Sequence, residues 1–234
     1  ALANALPLAH YLLPAQEPAV AGPRVKAVLV NTWFRNGEHG RLLDYVRALG
    51  PDVAVFLEVT PAWGEALGRL ESLPYRSQAG EILVASRQPL AGLKAWPLAG
   101  GAAMAVSFSY DAGGTPLTVI GAHANWPLGP AIAGSRNREL AELAALARAA
   151  PSPVLLLGDL NTTAYSPVFD SLLAASSNDE IAAAWVDAGS PWDPAALAAA
   201  LDVGRPGLQP HHMRLLQLQF GRVLEVTMRS LGGM

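Results

Sequence analysis

The chain has 234 residues, which suits one large domain or two small ones, and 51% of them are hydrophobic against 15% charged. That balance excludes a disordered chain, and a net charge of -3 gives no global reason to expect a nucleic-acid binder. With no cysteine, disulfides, thiolate catalysis and thiolate-bound zinc are excluded as well.

Residues 1–23 form an apolar start, Ala1 to Leu13, broken by His10 and Pro14, followed by a Pro/Ala/Gly-rich linker. No run approaches the roughly 20 apolar residues that span a bilayer. Two readings of the start stand side by side. One is a terminus or helix packed on the core; the other is the tail of a membrane or signal segment. Residues 24–234 read as the folded domain.

Val25 to Val30 is a strand that ends at Asn31. Arg41 to Leu49 repeats Leu42, Leu43, Val46 and Leu49 at helical spacing, and Gly50-Pro51 stops it. Val53 to Leu57 is a buried strand that ends at Glu58, and a short helix follows from about Pro61. Ile82 to Ala85 is a strand closing on Ser86-Arg87. Ala103 to Tyr110 and Pro116 to Ala122 read as neighbouring strands joined by Asp111-Ala112-Gly113-Gly114, and the second ends at His123. Ser135 is expected to cap a helix from Arg136 to Ala150, with Leu140, Leu143 and Ala147 buried and Arg136, Arg138, Glu142 and Arg148 solvated.

Val154 to Leu157 is a strand covered on both faces, and Gly158 then lets the backbone pass close to a neighbour. Asp159 and Asn161 lie two residues apart, so on extended chain they point to the same side. A carboxylate and a carboxamide presented together suit a metal-bound phosphate and its attacking water. They equally suit an Asx turn at a strand end. Plain structural readings exist for the other polar ends too: Glu58 as a cap for the next helix, His123 as a core histidine, Asn31 as a turn residue. Yet four strands end in Asn31, Glu58, His123 and Asp159 with Asn161, which points to one shared site.

Read in order, Asn31, Pro51 to Val59, Ser86-Arg87-Gln88-Pro89-Leu90, Gly121-Ala122-His123 and Gly158-Asp159-Leu160-Asn161 resemble the endonuclease/exonuclease/phosphatase superfamily. This is the group with the pancreatic-deoxyribonuclease-like fold. The resemblance covers about Val25 to Phe169, and the N-terminal segment is similar to bacterial members with membrane helices ahead of this domain. It implies an α+β fold, a four-layer α/β/β/α sandwich of two packed mixed sheets flanked by helices. It implies Mg²⁺- or Mn²⁺-dependent hydrolysis of phosphodiesters or phosphomonoesters by a monomer, with nucleic acid among the candidate partners. On this resemblance Glu58 is a metal ligand with Asn31 beside it in the metal and phosphate shell. His123 contacts the scissile phosphate, Asp159 orients or activates water, and Asn161 holds that water or a phosphate oxygen. The donor types agree with the chemistry, because a hard divalent cation takes carboxylate and amide oxygens and a cationic imidazole suits a phosphate gaining charge.

The resemblance stops short of two later motifs. His211-His212 stands where an Asp-His pair is expected, and the sequence contains no Ser-Asp-His. Without that last strand a neighbouring edge is expected to be left open. Three alternatives arise: a chain shortened or altered relative to an active parent, a binding module that does not cut, or compensation by His211 or His212. A structural domain attached to a membrane is a further alternative. Localisation divides in the same way, membrane-anchored or extracytoplasmic against cytoplasmic. Arg35, Arg87, Arg136 and Arg138 are candidate phosphate-binding cations. Ala195 to Leu201 reads as a short helix; Trp185, Trp192 and Asp187 are together candidates to line a substrate groove, with the aromatic pair read as core.

Overall fold

A computed structural model describes residues 24–151, 153–162 and 166–176, together with the backbone of three further strands at 182–185, 214–217 and 223–229. The elements run β1 (Arg24–Asn31), α1 (His39–Leu49), β2 (Val53–Leu57), α2 (Pro61–Leu67), β3 (Tyr75–Ala79), β4 (Ile82–Ser86), β5 (Ala91–Pro97), β6 (Met104–Asp111) and β7 (Pro116–His123). They continue with α3 (Pro130–Ala149), β8 (Val154–Asp159), α4 (Pro167–Ser176), β9 (Ala182–Trp185), β10 (Arg214–Gln217) and β11 (Val223–Arg229). One sheet has the order β11-β1-β2-β4-β3 and the other β5-β6-β7-β8-β10-β9.

Burial follows from the period-2 alternation of the central strands. In the first sheet Ala27, Leu29, Val53, Val55 and Val84 point inward and meet Val106, Phe108, Val119, Leu155 and Leu157 of the second. The alternate residues, Val28, Val30, Ala54 and Phe56, face outward onto Leu42, Leu43 and Val46 of α1 and Trp63, Ala66 and Leu67 of α2. On the other side Ile120, Ala122, Val154 and Leu156 face Leu140, Leu143, Ala144 and Ala147 of α3 and Phe169 and Leu172 of α4. The result is the four-layer α/β/β/α sandwich, with both faces of β2 and β8 covered, as their unbroken apolar runs require.

Two glycines bring the layers and strands close. A Cβ on Gly121 would lie 2.8 Å from Val55 Cγ1 across the sandwich, and one on Gly158 would lie 2.5 Å from the carbonyl oxygen of Ala122 in the adjacent strand. The close neighbour expected for Gly158 is therefore β7 itself.

Strand direction decides where the polar residues meet. β1 and β2 are parallel, with Asn31 opposite Leu57. β7 and β8 are parallel, with His123 opposite Asp159. The polar ends of each pair thus emerge together.

Several expectations are corrected. The helix expected from Ser135 begins at Pro130 behind Gly129, whose φ of 91° turns the chain, and proline is pre-shaped for a first turn. Ser135 lies inside α3 and donates to Glu139. The open sheet edge expected near the chain's end is filled: β11 pairs antiparallel with β1 from Arg24↔Arg229 to Val30↔Val223. The two exposed strands β3 and β5 escape a hydrophobic-run reading because few of their side chains are buried. His211, His212, Asp187, Trp192, the Ala195–Leu201 helix, the Trp185 side chain and residues 1–23 lie outside the described residues. No helix among the described residues is long and apolar enough to cross a membrane.

The close approach at Gly121 has a measurable consequence. Gly121→Ala is expected to lower the unfolding free energy by about 1–3 kcal/mol in urea denaturation. The loss should shrink when Val55→Ala opens the facing position, so a double-mutant cycle that is purely additive would contradict this packing. Gly158→Ala has no equivalent relief, because the obstructing atom is backbone.

Candidate active site

Glu58 ends β2 in a left-handed conformation, φ 56°. Its carbonyl accepts Thr32 Oγ1 at 3.0 Å, and the same hydroxyl bonds Leu57 O at 2.9 Å, which ties the ends of β1 and β2 together. Glu58 does not cap α2; Thr60 does, with its Oγ1 accepting from Trp63 N. The Glu58 carboxylate instead accepts Asn31 Nδ2 at 2.8 Å on Oε1 and Phe34 N at 3.1 Å on Oε2.

Asn31 is 6% exposed and its amino group also reaches Asp159 Oδ2, at 3.3 Å. One side chain from the first sheet therefore bonds carboxylates from both sheets. Its Oδ1 accepts Trp33 N at 2.9 Å, so Asn31 does close a turn while joining the acids. Asp159 behaves likewise: Oδ1 accepts Asn161 N at 3.1 Å in an Asx turn, and Oδ2 takes Asn31. The turn reading and the site reading of this pair are both realised by the same atoms. Asn161, at φ 47°, donates its amide to Ala124 O at 2.7 Å and leaves Oδ1 without a donor among the described residues.

His123 is held by a residue that strand-end reasoning missed. Its Nδ1 lies 2.6 Å from Glu81 Oε1. Glu81 sits in the β3–β4 turn beside Gly80, and its carbonyl accepts Val59 N at 3.0 Å. Phe34, Glu58, Val59, Thr60, Glu81 and His123 line a cleft of about 320 Å³. The structure thus brings Asn31, Glu58 and Asp159 into direct contact and places His123 beside them in register, with Asn161 on the adjoining turn.

Burial sets the electrostatics. Desolvation raises Asp159 above the usual carboxylate range, while the charge of His123 and the bonds from Asn161 N and Asn31 pull it back in part. Burial works to lower His123, but its bond to Glu81 and the charges of Glu81, Asp159 and Glu58 carry it above the ordinary imidazole value. Glu81 is lowered, chiefly by that same hydrogen bond. Both shifts favour an imidazolium on a carboxylate, with Nε2 left to donate elsewhere.

A supporting layer comes from α3. Arg136, expected on the solvated side, is 8% exposed and its guanidinium donates to the carbonyl oxygen of Asn161. Glu139 is fully buried and accepts Asn125 N at 2.8 Å, the Asn125 amide and Ser135 Oγ. The first turns of α3 therefore grip the loops that leave β7 and β8. Arg87 drops out of the phosphate-binding candidates. It lies at the opposite end of the first sheet, 3.3 Å from Asp52 and bonded to Gly50 O. Arg35 is exposed beside Phe34, 5.3 Å over its ring, and Arg138 is exposed on α3.

The profile of the endonuclease/exonuclease/phosphatase family matches residues 28–206, which contain every residue of this cluster. The chain belongs to that family. Its members are phosphate-ester-cleaving enzymes, and metal-dependent phosphodiesterases are among them. No curated protein sequence is similar enough to the chain to count as a relative. Among solved structures it is similar to sphingomyelinase C from Streptomyces griseocarneus, at 18% identity and a TM-score of 0.57 over 90% of this chain and 96% of that one. Beta toxin from Staphylococcus aureus with bound magnesium ions is similar at 17% identity and a TM-score of 0.56, over 87% and 82%. D. rerio TDP2 complexed with a single strand DNA product is similar at 16% identity and a TM-score of 0.54, over 64% of each chain. At such identities these likenesses establish the family fold.

The donor types suit a hard divalent cation. Hard oxygens are present on Glu58 and Asp159, the type that Mg²⁺ prefers, while Asn31 presents its amino group to both and gives its Oδ1 to Trp33 N. Among the described residues no group of three or more acids and histidines forms a closed metal cage. One or two carboxylates supplemented by water and substrate oxygens is the arrangement Mg²⁺ ordinarily takes.

The His123–Glu81 pair makes a titration test. Folded His123 keeps its proton above its ordinary 6.5, so its contribution to stability is complete below that pH and is lost as pH rises through the folded value. Folded Glu81 ionises below its ordinary 4.5, so its contribution is present above that pH and is lost as pH falls through the folded value. An NMR titration should put the His123 midpoint above 6.5, and Glu81→Gln should move it down. An unchanged midpoint in the variant would show that Glu81 does not hold the proton.

Proposed function

We propose that this chain is a divalent-metal-dependent phosphodiesterase that hydrolyses its substrate by direct attack of water. The observation that carries this reading is the Asn31 amide joining Glu58 and Asp159 across the two sheets, with His123 beside them on Glu81. Glu58 is the ligand offered to the metal. Asn31 fixes that carboxylate and the one opposite it, through the amino group it presents to both. Mg²⁺ or Mn²⁺ bound there would supply positive charge against the phosphate and its developing negative charge.

The protein groups have complementary tasks. Asp159, raised by burial, is a stronger base than an exposed carboxylate and is placed to accept a proton from water. Asn161 offers Oδ1 as a second acceptor that orients the same water. His123 donates from Nε2 to a phosphate oxygen while Glu81 keeps it charged. A bond forms between the water oxygen and phosphorus, the ester P–O bond breaks, and the departing alcohol takes up a proton. The active-site acids need no covalent role.

Purified protein with Mg²⁺ or Mn²⁺ should cleave a soluble diester such as bis(p-nitrophenyl) phosphate. Glu58→Gln should lose both metal binding by calorimetry and turnover. Asp159→Asn should keep metal binding while kcat falls by roughly 10²–10⁴. No cleavage of this diester, DNA or RNA, with Glu58→Gln binding metal as before, would refute the assignment. Metal binding without turnover would favour a non-cutting binding module, the alternative raised by the missing Ser-Asp-His sequence.

A further inference from the structure

Five of the seven large hydrophobic side chains exposed among the described residues gather at one end of the sandwich: Trp33 at 53%, Phe34 at 56%, Trp126 at 56%, Leu128 at 62% and Ile132 at 40%. The other two, Tyr75 and Leu93, lie on the outer strands β3 and β5. Trp33 and Phe34 closely follow Asn31, and Trp126 and Leu128 closely follow the β7 end that carries His123. Ile132 is in the first turn of α3.

Both loops are fixed to the candidate active site. Phe34 lines the cleft and its N–H bonds Glu58. Trp33 N bonds Asn31, and its φ of 53° holds the loop in a sharp turn. On the other side Ala124 N bonds Asp159 O at 3.0 Å, and Asn125 is locked to Glu139. The apolar residues are thus presented on anchored backbone beside the cleft, and a cluster of large exposed apolar side chains marks an interaction surface.

The chemistry of the rim selects that partner. A single-stranded nucleic acid takes aromatic platforms together with a cationic groove along its phosphates. Here residues 32–38 carry one cation, Arg35, and one anion, Glu38, while residues 124–129 carry no charge. Arg136, in the second turn of α3, is turned inward onto Asn161. Aliphatic Leu128 and Ile132 offer no stacking face, but they and the Trp rings suit the boundary between head groups and acyl chains. The net charge of -3 argues against attraction by an anionic membrane.

We propose that this rim seats the enzyme on a zwitterionic lipid surface, so that the cleft meets phosphodiester head groups presented at that surface. The proposal rests on the phosphodiesterase reading for its substrate class, but the surface itself is testable without turnover. Phosphatidylcholine vesicles should co-sediment with the protein. Combining Trp126→Ala, Leu128→Ser and Ile132→Ser should weaken that binding at least about tenfold. Cleavage of bis(p-nitrophenyl) phosphate by the same variant should stay within about twofold of the parent, since none of the three touches the reacting groups. Vesicle binding that survives the triple substitution, or that requires phosphatidylserine, would overturn the proposal. So would tight binding of a single-stranded oligonucleotide that these substitutions abolish. If vesicles bind through the rim and the soluble diester is not cleaved, the surface stands and the catalytic reading fails.

Discussion

The arrangement depends on how closely two sheets can be pressed together. Gly121 faces Val55 with no room for a methyl group, and Gly158 sits against the backbone of β7. This proximity lets one buried asparagine amide reach acids that come from different sheets, the farther of them 128 residues away in sequence. An amide is suited to the task. It donates two hydrogens to two carboxylates that would otherwise repel each other, and it adds no charge of its own. A larger side chain at 121 would press on Val55 and widen the gap that Asn31 spans.

The rest of the site is built by direction. Parallel pairing of β1 with β2 and of β7 with β8 delivers four strand ends to one place. Antiparallel β4 delivers its beginning there instead, which is how Glu81 comes to meet His123. Loops then convert strand ends into fixed side chains: Thr32 ties two ends together, and α3 grips the loops after β7 and β8 through Arg136 and Glu139. The polar side chains of the candidate site thereby rest on sheet geometry, while the outward parts of the same loops carry the exposed apolar side chains.

Much of this is legible in the sequence because buried central strands leave little choice. Val53 to Leu57 and Val154 to Leu157 are apolar on both faces, so the first polar residue after each marks where the core ends. Asn31, Glu58, His123 and Asp159 are visible for that reason alone. Glu81 is not, because it precedes its strand and follows β3, whose mostly exposed side chains give no apolar pattern; Gly80-Glu81-Ile82 is the one local signal. Arg136 is misread, and Glu139 passed over, for a related reason. Helical periodicity assigns polar positions to water, but these two face site loops whose carbonyl and amide groups take water's place. The start of α3 is marked by Gly129-Pro130, which competes with a capping serine farther on.

Left-handed backbone occurs at four non-glycine residues among those described, and three of them, Trp33, Glu58 and Asn161, belong to the site and its rim. Asparagine tolerates this conformation, whereas Glu and Trp each bear a penalty of order 1 kcal/mol that glycine would relieve. Glycine at either position would relax the turn, but it would remove the carboxylate that Asn31 and Phe34 N hold, or the indole exposed beside the cleft. The strain is thus the cost of putting a side chain where backbone alone would rest more easily.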